Sequence, residues 1–383
     1  MIRRIYHPLE KHLQPGRVLV IYGPRRVGKT TLVQELLSRT TLKYRSDIGD
    51  DLPTANILGS RDVKRILQHV ENLELYVIDE AQLIPGIGMG LKILADQRPD
   101  LKIIATGSSS FSLSQNIGEP LVGRKKTLTL YPVSQQELLP TYLNKADLRS
   151  HLEEFLIYGS YPSVVTTTTL ETKRDYLDEL TGSYLLQDIL TLEQIKSSAT
   201  LVNLLKLLAF QIGSEVSLNE LANQLNINVR TVGRYLDLLE KSFVIAKLSP
   251  FGRNLRSEVT QKSKYYFLDN GVRNSIISQF NSLDMRNDVG QLWENFLFVE
   301  RLKRRSYTPI RNQTYFWRTY QGNEIDFLEE GDGAMVGYEA KWSTSAQPKA
   351  PKSWLEAYPE AIFEVVNPDN YLDFVTNTTQ DTI

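Results

Sequence analysis

The chain has 383 residues, 41% hydrophobic and 23% charged, with a net charge of −1 and no Cys. That length exceeds one ordinary core and sets an expectation of about two to four domains. Near-neutrality leaves any nucleic-acid surface to a local patch. The lack of Cys excludes disulfides, thiolate zinc sites and a Cys nucleophile, and His7, His12, His69 and His151 show no metal-ligand spacing. No signal-peptide core opens the sequence and no run of about 18 apolar residues could span a bilayer. The expectation is a cytoplasmic enzyme or regulator without a membrane partner.

The first third alternates strand and helix signals. RVLVIYG (17–23) is a short apolar run ending in Gly, and TTLVQELLSR after it carries a helical pattern. TLKYRSDI, ELYVIDE, LKIIATG and KKTLTLYP (125–132) are further short runs that stop at polar or Gly-rich turns. Such alternation predicts a parallel sheet covered on both faces, an α/β fold.

Between the first strand and helix, GPRRVGKT fits G-x-x-x-x-G-K-[ST], the phosphate loop. Gly23, Pro24, Arg25, Arg26, Val27 and Gly28, with Lys29, Thr30 and Thr31, form the candidate nucleotide cradle. The glycines let backbone N–H groups curl around phosphate, and the helix N-terminus adds its positive dipole end. Lys29 would reach the β- and γ-phosphates of ATP, and Thr30 would help hold Mg²⁺. LYVIDEAQ (75–82) ends a buried strand in two carboxylates. Asp79 is the candidate second Mg²⁺ holder and Glu80 the group that orients the attacking water. LKIIATGSSS ends in hydroxyls, and Ser108 is preferred to Thr106 as the γ-phosphate sensor.

Phosphate loop, Asp-Glu strand end, TGSSS and then LVGRKKTLTLYPVSQQE together resemble AAA+ ATPases that carry an uncharacterised C-terminal domain, of the domain-of-unknown-function 4143 type. YGSYP (158–162) and YLLQDIL (184–190) also look like landmarks of that family. The resemblance covers nearly the whole chain. It implies a P-loop AAA+ core at 1–133, a helical lid at 134–196, a winged helix-turn-helix at 197–280 and a PD-(D/E)XK nuclease-like α+β domain at 281–383. It matches Gly123-Arg124 to a Gly-Arg pair before the last core strand, where Arg124 would serve as an arginine finger in cis or in trans, or would pair with a local carboxylate. AAA+ cores often form rings, which leaves a homo-oligomer open.

In the middle, SLNELANQLNINVRTVGRYLDLLEKSFVIAKL (217–248) shows two helical patterns around a short turn. Ser217 with Glu220 predicts a capping box, and Leu218, Leu221, Ala222 and Leu225 a buried stripe. In the second helix Val232, Tyr235, Leu236 and Leu239 face inward and leave Arg230, Thr231 and Arg234 outward, as in a helix that enters a major groove. Two strands with a basic wing follow, and residues 196–270 hold ten Lys/Arg against six Asp/Glu. Such folds also serve as protein adaptors, so DNA is a candidate partner beside protein.

Toward the end, GQLWENFLFVERLKRR (290–305) predicts an amphipathic helix, and YFWRT, EIDFLE and VGYEAKW predict strands, the last two joined at Gly331, Asp332 and Gly333. Simple alternation sends Ile325 and Phe327 to one face and Asp326 to the other. It likewise separates Tyr338, Ala340 and Trp342 from Glu339 and Lys341, so Asp326, Glu339 and Lys341 would meet. Asp-x₁₂-Glu-x-Lys resembles the PD-(D/E)XK nucleases, with Glu294 at the position of a helical Glu. In such a site Asp326 and Glu339 hold Mg²⁺ or Mn²⁺ and Lys341 orients water or offsets charge. Three functions stay open: an ATPase acting on DNA with a metal-dependent nuclease-like domain, an ATP-dependent switch whose C-terminal half only binds partners or DNA, and a nucleic-acid-binding regulator with a dead nuclease fold.

Overall fold

A computed structural model of the chain describes residues 2–108, 121–185, 198–252, 262–308, 312–331, 333–346 and 348–376. Most of YLLQDIL, the wing between 253 and 261, Ser109, Ser110 and Asp332 lie outside those residues. The chain divides into two compact units, one of residues 3–132 with 241–243 and one of 133–240 with 244–383.

In the first unit, β1 (Val18–Tyr22), α1 (Lys29–Leu37), β2 (Tyr44–Ile48), α2 (Leu52–Leu58), α3 (Val63–His69), β3 (Leu75–Asp79), α4 (Ile87–Gln97), β4 (Lys102–Gly107) and β5 (Lys125–Thr129) follow in order. The strands form one all-parallel sheet ordered β2-β3-β4-β1-β5. The central runs β1, β3 and β4 are buried strands because helices cover the sheet, with Val18, Val20, Tyr76, Ile78, Ile103 and Ala105 packing with Leu91, Leu94 and Ile66 in one core, whereas the edge strand β2 is largely exposed. Asp51 caps α2 through Thr54 N–H at 3.1 Å and Asp62 caps α3 through Arg65 N–H at 3.2 Å. Because every strand runs the same way, the C-terminal ends of β1, β3 and β4 share one edge. The chain crosses there from β4 back past β1, the place where open α/β sheets bind ligands.

The second unit begins with a single helical turn at Gln135–Leu138 and continues through α5 (Lys145–Ser150), α6 (Leu152–Tyr158), α7 (Pro162–Thr166), α8 (Leu170–Glu179), α9 (Ser198–Phe210), β6 (Glu215–Val216), α10 (Leu218–Leu225), α11 (Val229–Lys241), β7 (Ile245–Pro250), β8 (Ser263–Phe267) and α12 (Asn270–Ile276). It closes with α13 (Val289–Tyr307), β9 (Gln313–Arg318), β10 (Glu324–Gly331), β11 (Ala334–Ala340), α14 (Lys352–Ala357), β12 (Ile362–Val366) and α15 (Tyr371–Thr376). YGSYP is a clasped loop. Gly159 has φ +74, and an added Cβ would stand 2.0 Å from the Asp269 carboxylate. That carboxylate accepts Ser160 N–H at 2.7 Å and caps α12 through Val272 N–H at 3.1 Å.

One seven-stranded sheet, ordered β12-β11-β10-β9-β7-β8-β6, runs through this unit and across residue 281. Its joint is the parallel pairing of β7 with β9, Ser249 opposite Tyr315 and Pro250 opposite Phe316. α13 buries Trp293 and Leu297, and its Arg301 makes a buried two-bond fork to Glu329 of β10, at 2.7 and 2.6 Å.

Three local expectations change. The α10 stripe is narrower than its pattern: Leu221 and Ala222 are buried, but Leu218 is 36% exposed and Leu225 half-buried. Ser217 accepts Glu220 N–H at 3.4 Å, which is one half of a capping box. Most important, Ile325 and Phe327 do not share a face. A register shift between Ile325 and Leu328 puts Ile325 with Leu328, Trp317 and Trp354 on one side of the sheet, and Phe327 against Phe298 and Tyr266 on the other. Strict period-two alternation fails there because a bulge inserts a residue.

Candidate functional sites

At the ends of β1, β3 and β4 the phosphate-loop residues assemble with the Asp-Glu pair. Gly23 has φ +153 and an added Cβ would lie 2.0 Å from Leu130 O, so no side chain fits where the loop leaves β1. Val27 is fully buried and anchors the loop. The Arg4 guanidinium, also buried, bonds Val27 O and, at 2.6 Å, Tyr131 O. Arg25 and Arg26 are half-buried, and Thr31 is exposed on α1. Lys29 is 5% exposed and its ammonium donates to Gly23 O at 2.9 Å and Pro24 O at 2.8 Å.

Thr30 Oγ1 donates to Asp79 Oδ2 at 2.8 Å, while Thr106 Oγ1 bonds the other Asp79 oxygen. Thr106 also accepts Glu80 N–H at 3.2 Å. Glu80 sits in the left-handed region at φ +50, a conformation that costs about 1–3 kcal/mol and persists where the surrounding structure over-determines it. Gln82 Nε2 donates to Glu80 Oε2 and, at 3.1 Å, to Ser108 Oγ. Ser108 thus lies beside Glu80, and Thr106 is the brace of both carboxylate residues. Arg124 pairs with Asp96, the local-carboxylate arrangement that was the alternative to a finger role.

Arg230 and Arg234 are exposed on α11 and Thr231 is half-buried. The basic wing lies outside the described residues.

A second polar cluster forms where α13, β8, β10 and β11 meet. The bulge turns Asp326 so that its carboxylate accepts Ala340 N–H at 2.8 Å. Burial, with the Glu294 and Glu339 carboxylates nearby, pushes Asp326 well above the usual carboxylate range, and Lys264 offsets part of that rise. Lys341 Nζ lies 2.7 Å from Glu339 Oε1. Although burial opposes its charge, Glu339, Asp326 and Glu294 hold Lys341 above its ordinary value. Glu294, Asp326, Glu339 and Lys341 are therefore within electrostatic reach of one another.

Sequence reading passed over three members of this cluster. Lys264, 1% exposed, lies 3.1 Å from Glu294 Oε1 and 2.5 Å from Glu324 Oε1, and Tyr266 donates to Glu294 Oε1 at 2.6 Å. Lys264 keeps its proton despite burial because Glu294, Glu324 and Asp326 surround it. Glu324, two residues before Asp326, carried a readable period-two signal. Lys264 and Tyr266 carried none, since only the sheet brings β8 to α13. Among the described residues no group of three or more His, Cys, Asp or Glu is placed to hold a metal ion. The cluster is salt-bridged acid and lysine, not a ready metal cage. Among the same residues no helix is long and apolar enough to cross a membrane.

Comparison with known proteins matches three successive stretches of the chain. Residues 15–139 match the AAA domain family, and residues 149–283 match a domain of unknown function (DUF8612). Residues 289–379 match a domain of unknown function (DUF4143). The parallel sheet and its phosphate loop are thus those of a nucleotide-binding AAA domain. The chain as a whole joins that domain to a C-terminal DUF4143 domain, the architecture its sequence resembles.

Among its relatives, the uncharacterised protein Rv2008c of Mycobacterium tuberculosis is 27% identical over 87% of this chain and 72% of its own length. MJ1544 of Methanocaldococcus jannaschii is 25% identical over 86% and 75%. A Haemophilus influenzae protein is 27% identical over 81% and 79%. Among solved structures, the signal-transduction ATPase PH0952 of Pyrococcus horikoshii, which has a tetratricopeptide repeat sensor, is 13% identical with a TM-score of 0.28. That likeness covers 76% of this chain but 44% of the other. Drosophila ORC bound to AT-rich DNA and Cdc6 is 11% identical with a TM-score of 0.26, over 71% of this chain and 90% of that one.

Proposed function

We propose that the protein binds and hydrolyses ATP with Mg²⁺ at the phosphate loop, and that this reaction drives or gates its C-terminal half. The observation that carries the reading is the connection Thr30–Asp79–Thr106–Glu80, which starts at the residue after Lys29 in the phosphate loop. These are the groups phosphoryl transfer to water needs: a cation for the phosphates, two oxygen donors for Mg²⁺ and a carboxylate to orient the nucleophile. Lys29 rests on two loop carbonyls that phosphate oxygens can replace. Bound Mg²⁺–ATP supplies the scissile phosphoanhydride. Glu80 aligns water with it and takes up the water proton, and Lys29 offsets the charge that develops on the phosphates. Hydrolysis of labelled ATP tests the reading: turnover that Lys29→Ala abolishes supports it, and nucleotide bound without turnover at any Mg²⁺ concentration defeats it.

A second activity is favoured by the convergence of Glu294, Asp326, Glu339 and Lys341. We infer that this half acts on DNA through a nuclease-like fold. Asp326 and Glu339 would take Mg²⁺ or Mn²⁺, and the exposed Arg230 and Arg234, with Thr231, would lie along DNA backbone in a winged-helix arrangement of α10, α11, β7 and β8. A cation there would take the place of the Lys341 ammonium beside Glu339. Incubation with single-stranded, duplex and branched DNA and Mn²⁺, with and without ATP, separates the alternatives. Cleavage lost in Asp326→Ala and Lys341→Ala, with ATP turnover retained in both, marks a nuclease. ATP-dependent assembly without cleavage marks a switch.

A further inference from the structure

The Gln82 side chain stands between the two groups of the nucleotide site that have separate tasks. Its amide nitrogen reaches both Glu80 Oε2 and Ser108 Oγ. A carboxylate only accepts, so the amide must present N–H to Glu80. The second N–H then makes Ser108 an acceptor, and the Ser108 hydroxyl is left to aim its own proton elsewhere. The other end of the amide, Gln82 Oε1, is buried with no hydrogen-bond partner among the described residues, an expensive state for a carbonyl. The whole group is short-range: Gln82 lies in the helical turn Ala81–Leu83 directly after Glu80, whose backbone N–H bonds Thr106.

Resting on the ATPase reading above, we propose that Gln82 is a positioning residue that ties the orientation of Glu80 to the contact Ser108 makes with the γ-phosphate. One amide fixes the carboxylate that orients water and the hydroxyl that meets phosphate. Loss of phosphate contact at Ser108 is thereby felt at the general base.

The test is a double-mutant cycle with Gln82→Leu, close to isosteric, and Ser108→Ala. Steady-state ATP turnover, nucleotide affinity and thermal midpoint are read for all four chains, with Gln82→Asn as a shorter amide. Gln82→Leu is expected to lower kcat about tenfold or more with nucleotide affinity within about twofold, as misplacement of a catalytic group does. Ser108→Ala is expected to add little in the Gln82→Leu background, and Gln82→Asn not to restore the rate. A purely structural Gln82 would move the thermal midpoint and leave kcat in place, which overturns the inference alone, as do fully additive losses. A wild-type chain that binds nucleotide without turnover overturns the ATPase reading and this inference with it.

Discussion

Thr30 and Asp79 are hydrogen-bonded at 2.8 Å across the end of the parallel sheet. The fold therefore holds together the two oxygen donors proposed for one cation. Thr30→Val removes the hydroxyl and keeps the shape of the side chain. It is expected to cut affinity for Mg²⁺–ATP by about tenfold while leaving Mg²⁺-free nucleotide binding unchanged, as one lost cation-linked contact would. Titration of a fluorescent ATP analogue with and without Mg²⁺ measures both.

The role proposed for Glu80 differs and should show a different signature. Glu80→Gln keeps the hydrogen-bonding size and removes the base. Turnover should fall by about 10²–10⁴-fold while ATP still binds and stays bound. Rapid filtration after a single-turnover mix gives the answer, and a Glu80→Gln chain with ordinary turnover would move the water-orienting role to another residue.

Acid should loosen the first unit through Asp47. Burial works against its charge, but hydrogen bonds from His69, Tyr76 and Arg45 outweigh burial and bring it from 3.8 to about 2. The folded value lies below the unfolded one, so the unfolded chain binds more protons in this interval and stability falls as pH falls. The contribution, about 2 kcal/mol, is whole above pH 4 and is lost as pH drops through about 2. Denaturant midpoints between pH 5 and 2 should decline less steeply in Asp47→Asn, which starts lower at pH 5.

The Arg301–Glu329 fork is buried on both sides, with side chains 5% and 3% exposed. Glu329→Ala leaves a guanidinium without its carboxylate and is expected to cost about 3–5 kcal/mol of stability. The paired replacement Arg301→Met with Glu329→Leu should cost far less, because no charge is left stranded. Urea unfolding of the three chains distinguishes a fork that is merely tolerated from one that stabilises.

What the sequence allowed one to read tracks how local each signal is. GPRRVGKT and LYVIDE lie within single turns and strand ends, so their residues could be placed without knowing any neighbour, and the five core strands follow their apolar runs closely. The sequence favours Ser108 over Thr106, because only the packing of β3 on β4 brings the Thr106 hydroxyl to Asp79. The same holds at the far end. Glu339 and Lys341 are two apart on one strand and could be paired by eye. Asp326 reaches them through a bulge that a period of two does not foresee, and Lys264 arrives on a strand about sixty residues upstream.

The joint between β7 and β9 decides how the molecule can be taken apart. Its few rungs connect a hairpin from the middle of the chain to four strands from its end. A fragment begun near residue 281 would carry β9 with its amides and carbonyls bared along one side, ready to recruit a strand from any neighbour. Such a fragment should swap or aggregate rather than report faithfully on its own chemistry, whereas one begun ahead of α9 keeps that seam closed. The natural piece for dissection is therefore larger than the family boundary at residue 289 suggests.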